Sequence, residues 1–466
     1  MLASLRSALA LSVALLAACG SIPKSSVDTP TTFTAADTNS YLVGEPVVQE
    51  FWRSFDDPVL NSLVHRALLA NRDLRATQAR LRQSRALANQ SMTDYLPGGS
   101  LSIQNTETRA GLAAVTSRYT GTAQAQWEID LFGRITNGVM ARSADARAAL
   151  ADLHAARVSV TSETARIYFQ LRGANTRLSV ARRSADNQRQ SLNITQARFE
   201  EGAGSELDLQ RARAQLQTTL ATIPSLETQQ QQLLNQLAVL LGEPAGQVAQ
   251  PEILSVEAIA LPELVPVGNP AEWLRRRPDI RRAEARLEST AAAARVSVAS
   301  LFPRVSISGT ATAAAADVGS LFEKANNTLL WGPTLSWAVL NIPRLLYDVA
   351  AQSARRDESL ASYEHTVLTA LAETESALSA YRFSRQRVAE LEAAVTASER
   401  AEELSRIRYD AGAADFLSVL DAQRTQLQVA DQLAQSRSDR AGALVAVYKA
   451  LGVGWGLNDA AQALAR

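Results

Sequence analysis

Thr122-Ala123-Gln124-Ala125-Gln126-Trp127-Glu128-Ile129-Asp130-Leu131-Phe132-Gly133-Arg134 is the stretch on which the fold turns. Its first part has period two: Ala123, Ala125, Trp127 and Ile129 alternate with Thr122, Gln124, Gln126 and Glu128. An extended chain with this pattern is apolar on one face and polar on the other. Beyond Arg134 the apolar positions fall at Val160, Ile167, Leu171, Ala174, Leu178, Ala181, Ala185, Leu192 and Phe199, in steps of three, four or seven, with no proline between. That spacing predicts one helix from about Arg134 to Phe199, roughly 100 Å long at ~1.5 Å per residue. No compact domain needs such a rod. Its heptad of small and medium residues implies coiled-coil packing against neighbouring helices, with the Arg, Gln, Ser and Glu faces left for water.

The same plan is written twice. Asp73-Leu74, Ala79-Arg80-Leu81 and Leu96-Pro97 recur 206 positions later as Asp279-Ile280, Ala285-Arg286-Leu287 and Phe302-Pro303. After a four-residue shift, Trp127, Arg134, Glu163, Arg172, Arg198, Gly202, Leu207, Ala212, Leu241 and Gly242 match Trp337, Arg344, Glu373, Arg382, Arg408, Gly412, Leu417, Ala422, Leu451 and Gly452. The chain therefore reads as a duplication, residues 60–242 and 269–452, with a Pro-rich linker over 243–268 and a tail over 453–466.

Each copy opens with a helix of about 35 residues, carrying Leu60, Leu63, Leu68 and Leu74 in the first, stopped at Leu96-Pro97 or Phe302-Pro303. Two period-two segments follow, within about 98–130 and 304–341: Leu101 and Ile103 precede the opening stretch, while Val305 and Ile307, then Trp331, Leu335 and Trp337, carry the pattern in the second copy. The second rod, about Arg344 to Tyr409, holds Ala370, Ala377, Tyr381, Val388, Leu391, Val395 and Tyr409 in the same register. The rods break at Gly202 and Gly412, within tips at about 200–208 and 410–421. Ser205 or Asp415 then caps a return helix ending at Leu241-Gly242 or Leu451-Gly452. Ser205 and Asp208 have capping-box spacing.

Composition excludes several classes of function. The 466 residues include 47 Lys+Arg against 47 Asp+Glu, so no excess of positive charge favours nucleic acid or an anionic membrane surface. One cysteine rules out an internal disulfide framework and a Cys-based zinc site, and His65, His154 and His365 lie far apart. There is no nucleophile elbow, phosphate loop or paired-carboxylate site with a supporting His, so no enzyme is expected. The cluster Arg275, Arg276, Arg277, Arg281 and Arg282 reads as a solvated helix start compensated by Asp279 and Glu284. Asn175, Asn187 and Asn193 read as solvated helix positions.

The N-terminus decides between two readings of the strands. Residues 1–18 carry one charge, Arg6, and an apolar run from Ala8 through Ala17 broken only by Ser12, a signal-peptide pattern too short to span a bilayer. Leu16-Ala17-Ala18-Cys19-Gly20 resembles the bacterial lipobox, whose Cys is acylated; an unmodified Cys after ordinary cleavage is the alternative. Gly20, rather than an Asp, points to the outer membrane. Residues 19–59 are expected to be a lipidated tether, extended to about Pro46. A half-buried soluble hairpin and a transmembrane β-barrel share the period-two pattern, and the export signal tips the balance to the barrel. An open sheet edge in lipid leaves backbone groups unpaired, so four strands per chain must close in several copies. A dimer gives eight strands whose interior side chains fill, whereas a trimer gives twelve and leaves a duct.

Together the lipobox, the duplicated helix–hairpin–helix–helix unit, residues 127–134 and Arg276-Arg277-Pro278-Asp279-Ile280-Arg281-Arg282-Ala283-Glu284 resemble the TolC-like outer-membrane efflux proteins. The NodT-type lipoproteins of resistance-nodulation-division pumps are the group most resembled. The resemblance implies a mainly α fold with a membrane β part: a homotrimer with a twelve-stranded barrel in outer-membrane lipid and an α-helical barrel through the periplasm. A periplasmic adaptor and an inner-membrane resistance-nodulation-division transporter are the implied partners, and a covalent lipid such as palmitate on Cys19 is the only attached group. It further implies a pore gate at the hairpin tips, in which Asp421 projects into the pore, Leu417 forms an apolar constriction one turn earlier, Asp208 ties the closed tips and Tyr409 is an aromatic gate partner. Ser418 stands where some members place a second Asp, and Ala414 where some place an Arg. The expected function is the passive exit duct of a tripartite efflux pump. A type I protein-secretion duct and a non-conducting structural lipoprotein are the alternatives.

Overall fold

The computed structural model describes residues 27, 32–36, 41–43, 49–112, 114–248, 251–254, 260–262, 265–268 and 270–455. Among the described residues, six strands run β1 (Tyr41–Val43), β2 (Gly98–Thr108), β3 (Thr116–Ile129), β4 (Val265–Gly268), β5 (Arg304–Ala315) and β6 (Asn327–Ser336). The same residues hold eight α-helices, α1 (Pro58–Ala70), α2 (Arg72–Met92), α3 (Arg134–Glu200), α4 (Glu206–Leu241), α5 (Pro270–Leu274), α6 (Pro278–Ala299), α7 (Ile342–Asp410) and α8 (Phe416–Ala450). The residues separate into two compact bodies, one of 79–151 with 279–366, the other built mainly from 152–278 and 367–455.

The first body carries a four-stranded antiparallel sheet in the order β2-β3-β5-β6. Opposed residues share a face, and the register Leu101↔Ala123↔Ala311↔Leu329, Ala125↔Gly309↔Trp331 and Trp127↔Ile307↔Pro333 makes an apolar band on one face, which turns polar at Asn105, Glu107, Ser117 and Asn327 near the strand connections. The other face carries Ser102↔Thr122↔Thr312↔Thr328 and Gln126↔Ser308↔Gly332. Apolar side chains on the first face stand open, Trp331 at 79% exposure and Leu101 at 74%. Among the described residues, strands β2 and β6 each pair along one side only. Among the described residues no helix is long and apolar enough to cross a membrane.

The motif at 127–134 joins sheet to rod. Trp127 Nε1 donates to the Tyr95 carbonyl at 2.9 Å, and its counterpart Trp337 donates to Leu301 at 3.0 Å. Arg134 grips Glu128 through two bonds of 2.8 Å. Asp130 caps α3, accepting from the Ile135 and Thr136 N–H groups and the Thr136 hydroxyl. Burial opposes the Asp130 charge, but these donors outweigh it and hold the carboxyl below the usual aspartate range.

The second body is helical. On α3, Ile167, Leu171, Ala174, Leu178, Ala181 and Ala185 are buried, as the heptad requires, and Leu178 and Ala181 pack against Leu226 of α4. Three expectations need correction here. The opening helix of each copy is broken: Asn71 separates α1 from α2, because its side chain accepts from the Leu74 N–H while its amide donates to Leu240 O. Its counterpart in the second copy is Arg277, between α5 and α6. Arg277 is not solvated; it is 6% exposed and donates to Ala450 O at 2.7 Å and Glu373 at 2.8 Å. Asn175 is buried and bonded to the Gln230 amide, a partner on a return helix that single-helix periodicity cannot reveal; Asn187 and Asn193 are exposed. The tether is fastened over its described part: Phe33 meets Trp273 edge-on at 5.6 Å, and the Thr34 and Ala35 N–H groups donate to Glu375. Tyr41 donates to Leu378 O, and β1 pairs in parallel with β4 from the linker. Residues of the tail join the core too, with Trp455 stacked on His154 at 4.4 Å.

Candidate functional site

Both rods end in the same way. Gly202 and Gly412 adopt φ of +76° and +70°. The Ala203 N–H donates to Arg198 O and the Gly202 N–H to Phe199 O; Ala413 and Gly412 repeat this on Arg408 and Tyr409. This is the Schellman arrangement, and the left-handed φ is what requires glycine. The return helices are capped differently. Ser205 Oγ accepts from the Leu207 N–H at 3.1 Å, while the capping-box candidate Asp208 lies 3.6 Å from Arg211. Asp415 accepts both the Ser418 hydroxyl, at 2.7 Å, and the Ser418 N–H. Those two bonds hold the Asp415 carboxyl below the ordinary carboxylate range.

The two tips are joined. The Arg198 guanidinium lies over the Tyr409 ring at 4.3 Å and donates to the Tyr409 and Asp410 carbonyls at 3.2 Å each, the last turn of α7. Beneath this clasp, Phe416, Val419 and Leu420 of α8 pack with Ala212 of α4, flanked by Leu192 and Tyr409. Gln423 bonds Ser191, and Arg424 bonds Gln215 at 2.6 Å. Each large buried side chain contributes about 1.5–3 kcal/mol, against about 0.5–1 kcal/mol for a partly exposed cation–π contact. Packing therefore sets the tip and the clasp orients it. With that face of α8 turned inward, Leu417 and Asp421, one turn apart, are both exposed on the other. Among the described residues no group of three or more His, Cys, Asp or Glu could hold a metal ion.

The chain matches the outer membrane efflux protein family twice, over residues 63–243 and 269–453. It belongs to that family. Among its relatives, the outer membrane protein OprJ of Pseudomonas aeruginosa is 32% identical, with 87% of this chain and 86% of OprJ covered. Nodulation protein T of Rhizobium leguminosarum bv. trifolii is 29% identical over 90% of each chain. The solved outer-membrane channel OprN superposes with a TM-score of 0.87 at 35% identity, covering 94% of this chain and 99% of that one. As an outer membrane efflux protein, this chain is a channel in the outer membrane that extends into the periplasm, and not an enzyme.

Of the residues singled out in the sequence, Gly202, Gly412 and Tyr409 lie at the tips in defined roles, two as the chain reversals and the third as the ring that receives the clasp. Asp208 is half-buried, and Cys19 lies outside the described residues. Ser418, where some efflux proteins carry a second acid, completes the Asp415 cap. Arg198 stands out in the sequence only as a repeat match. A further signal is present: both tips carry Arg immediately before an aromatic residue, Arg198-Phe199 and Arg408-Tyr409.

Proposed function

We propose that three copies of this chain close one twelve-stranded barrel, anchored additionally by a lipid on Cys19, and that the assembly is the exit duct of a tripartite efflux pump. The observation that carries the reading is the sheet: four strands with an apolar band on one face and pairing available at both edges. In hydrocarbon an unpaired edge costs several kcal/mol per backbone group, so closure with further copies follows. The duct is passive, receiving substrate from an inner-membrane resistance-nodulation-division transporter through a periplasmic adaptor. The exposed Leu417 and Asp421 face of α8 lines the closed end of the pore, where three copies of each side chain form an apolar ring and an acidic ring that attracts cations. Asp208 and Tyr409 help hold the tips shut, and Gly202 and Gly412 form their turns.

The test combines mass and phenotype. Light scattering of the detergent-solubilised protein is expected to give the mass of three chains. Deleting the gene is expected to lower tolerance to exported compounds, with restoration by the intact gene and weaker restoration by Cys19→Ala. A mass of one chain, or full tolerance in a strain lacking every other such duct, contradicts the proposal.

A further inference from the structure

The clasp at the tips has an unused counterpart. Arg198 of the first repeat stacks on Tyr409 of the second and donates to the Tyr409 and Asp410 carbonyls. Under the 210-residue offset, Arg198 corresponds to Arg408, Tyr409 to Phe199 and Asp410 to Glu200. Each element of the clasp therefore exists a second time, as a guanidinium on one rod and an aromatic ring with two rod-end carbonyls on the other. Within one chain the second set is not assembled. Arg408 is exposed, and Phe199 is 40% exposed although it sits at the end of a heptad. The Phe199 carbonyl accepts the Gly202 N–H just as Tyr409 accepts that of Gly412, so the two acceptor turns have the same geometry.

We propose that Arg408 closes the seam between protomers by stacking on Phe199 of the partner subunit and donating to the carbonyls of Phe199 and Glu200 of the partner subunit. This rests on the trimeric reading above. In a closed ring the repeats alternate, first, second, first, second, and a contact running from a first repeat to a second points the same way round as one from a second repeat to the next first. A head-to-tail contact of this kind closes only when every donor finds its acceptor. The intrachain clasp uses half of the six positions, and Arg408 supplies the other three. The bed beneath is repeated only in part: the counterparts of Val419 and Ala212 are Leu209 and Ala422, but those of Leu192, Phe416 and Leu420 are Glu402, Glu206 and Gln210. The seam between protomers therefore has less apolar packing than the seam within them and depends more on its clasp. It is the seam that parts when the tips open.

Paired cysteines test this in the full-length protein. Phe199→Cys with Arg408→Cys, treated with a short bis-maleimide, is expected to shift the chain to dimer and trimer bands on a denaturing gel. Arg198→Cys with Tyr409→Cys is expected to link internally and remain at monomer size. Monomer bands alone from the first pair, in material with the mass of three chains, overturn the assignment while leaving the trimer intact; a one-chain mass overturns both. A milder variant checks the role of the clasp. Lysine keeps the charge but cannot span two carbonyls with a planar fork, so Arg408→Lys is expected to raise closed-state conductance in planar bilayers at least as much as Arg198→Lys. Leakage from Arg198→Lys with none from Arg408→Lys contradicts the proposal.

Discussion

Asn71 and Arg277, 206 positions apart, make equivalent contacts in the two repeats. Asn71 donates to Leu240 O at 3.0 Å and Arg277 to Ala450 O at 2.7 Å, carbonyls that are themselves equivalent in the two return helices. Each fastens the end of a return helix to the break between the first two helices of its own repeat. Asn71 also caps α2 through the Leu74 N–H, so Asn71→Ala removes two bonds. The expected loss is about 1–3 kcal/mol for the orphaned carbonyl and about 1 kcal/mol for the cap. Arg277→Ala is expected to be similarly destabilising, whereas Glu373→Gln is nearly neutral, because the Glu373 side chain is 55% exposed. Urea unfolding in detergent, followed by circular dichroism, measures all three.

Gly242, which follows Leu240, and Gly202 at the first tip separate conformation from space. Gly242 has φ +69°, and a Cβ there would stand 2.6 Å from Ala70 O; Gly202 has φ +76° with nothing within 4 Å. Gly202→Ala is expected to lose about 1–2 kcal/mol, the left-handed penalty alone. Gly242→Ala adds a clash with backbone and is expected to lose more. Equal losses in the same urea experiment contradict this account of the close approach.

Asp415 gives the second tip a dependence on acid. Its carboxyl titrates lower in the folded tip than in the unfolded chain, owing first to the Ser418 hydroxyl and then to the Ser418 N–H. A depressed carboxyl contributes its stabilisation above the unfolded value, about 3.9, and loses it as pH falls through the folded value. At pH 6 the Ser418 amide is expected to exchange its hydrogen faster in Asp415→Ala than in the wild type. The difference narrows as the pH falls below the ordinary aspartate range and through the lowered folded value. A gap that persists unchanged into strong acid argues that the cap does not depend on the charge.

Much of this fold is legible in the sequence because its two signals are long and unbroken. The alternation through Trp127 and the heptad from Val160 to Ala185 each require one face to be buried or set apart, and the structure obeys both. The repeat offset carries the same pattern from one copy to the other. The features that stay hidden depend on partners distant in sequence. Nothing local distinguishes Arg277 from its exposed neighbours Arg275 and Arg276; its burial comes from Glu373 and Ala450. Likewise Glu375, far along α7, turns the tether at Thr34 and Ala35 into a fixed strap. At the site, the turns at Gly202 and Gly412 follow from backbone conformation alone. Arg198 is hidden because its partner is the end of another helix, and carbonyls carry no sequence signature.

Asp421 puts the account to its most direct test. It lies on the exposed face of α8 with Leu417, opposite the packed Phe416, Val419 and Leu420. In the proposed trimeric gate, removing the three Asp421 carboxylates widens the acidic ring and removes its attraction for cations, leaving the Leu417 ring in place. Single-channel conductance of Asp421→Ala in planar bilayers is therefore predicted to exceed that of the wild type, with reduced preference for cations. Conductance and ion preference identical to the wild type would contradict the account.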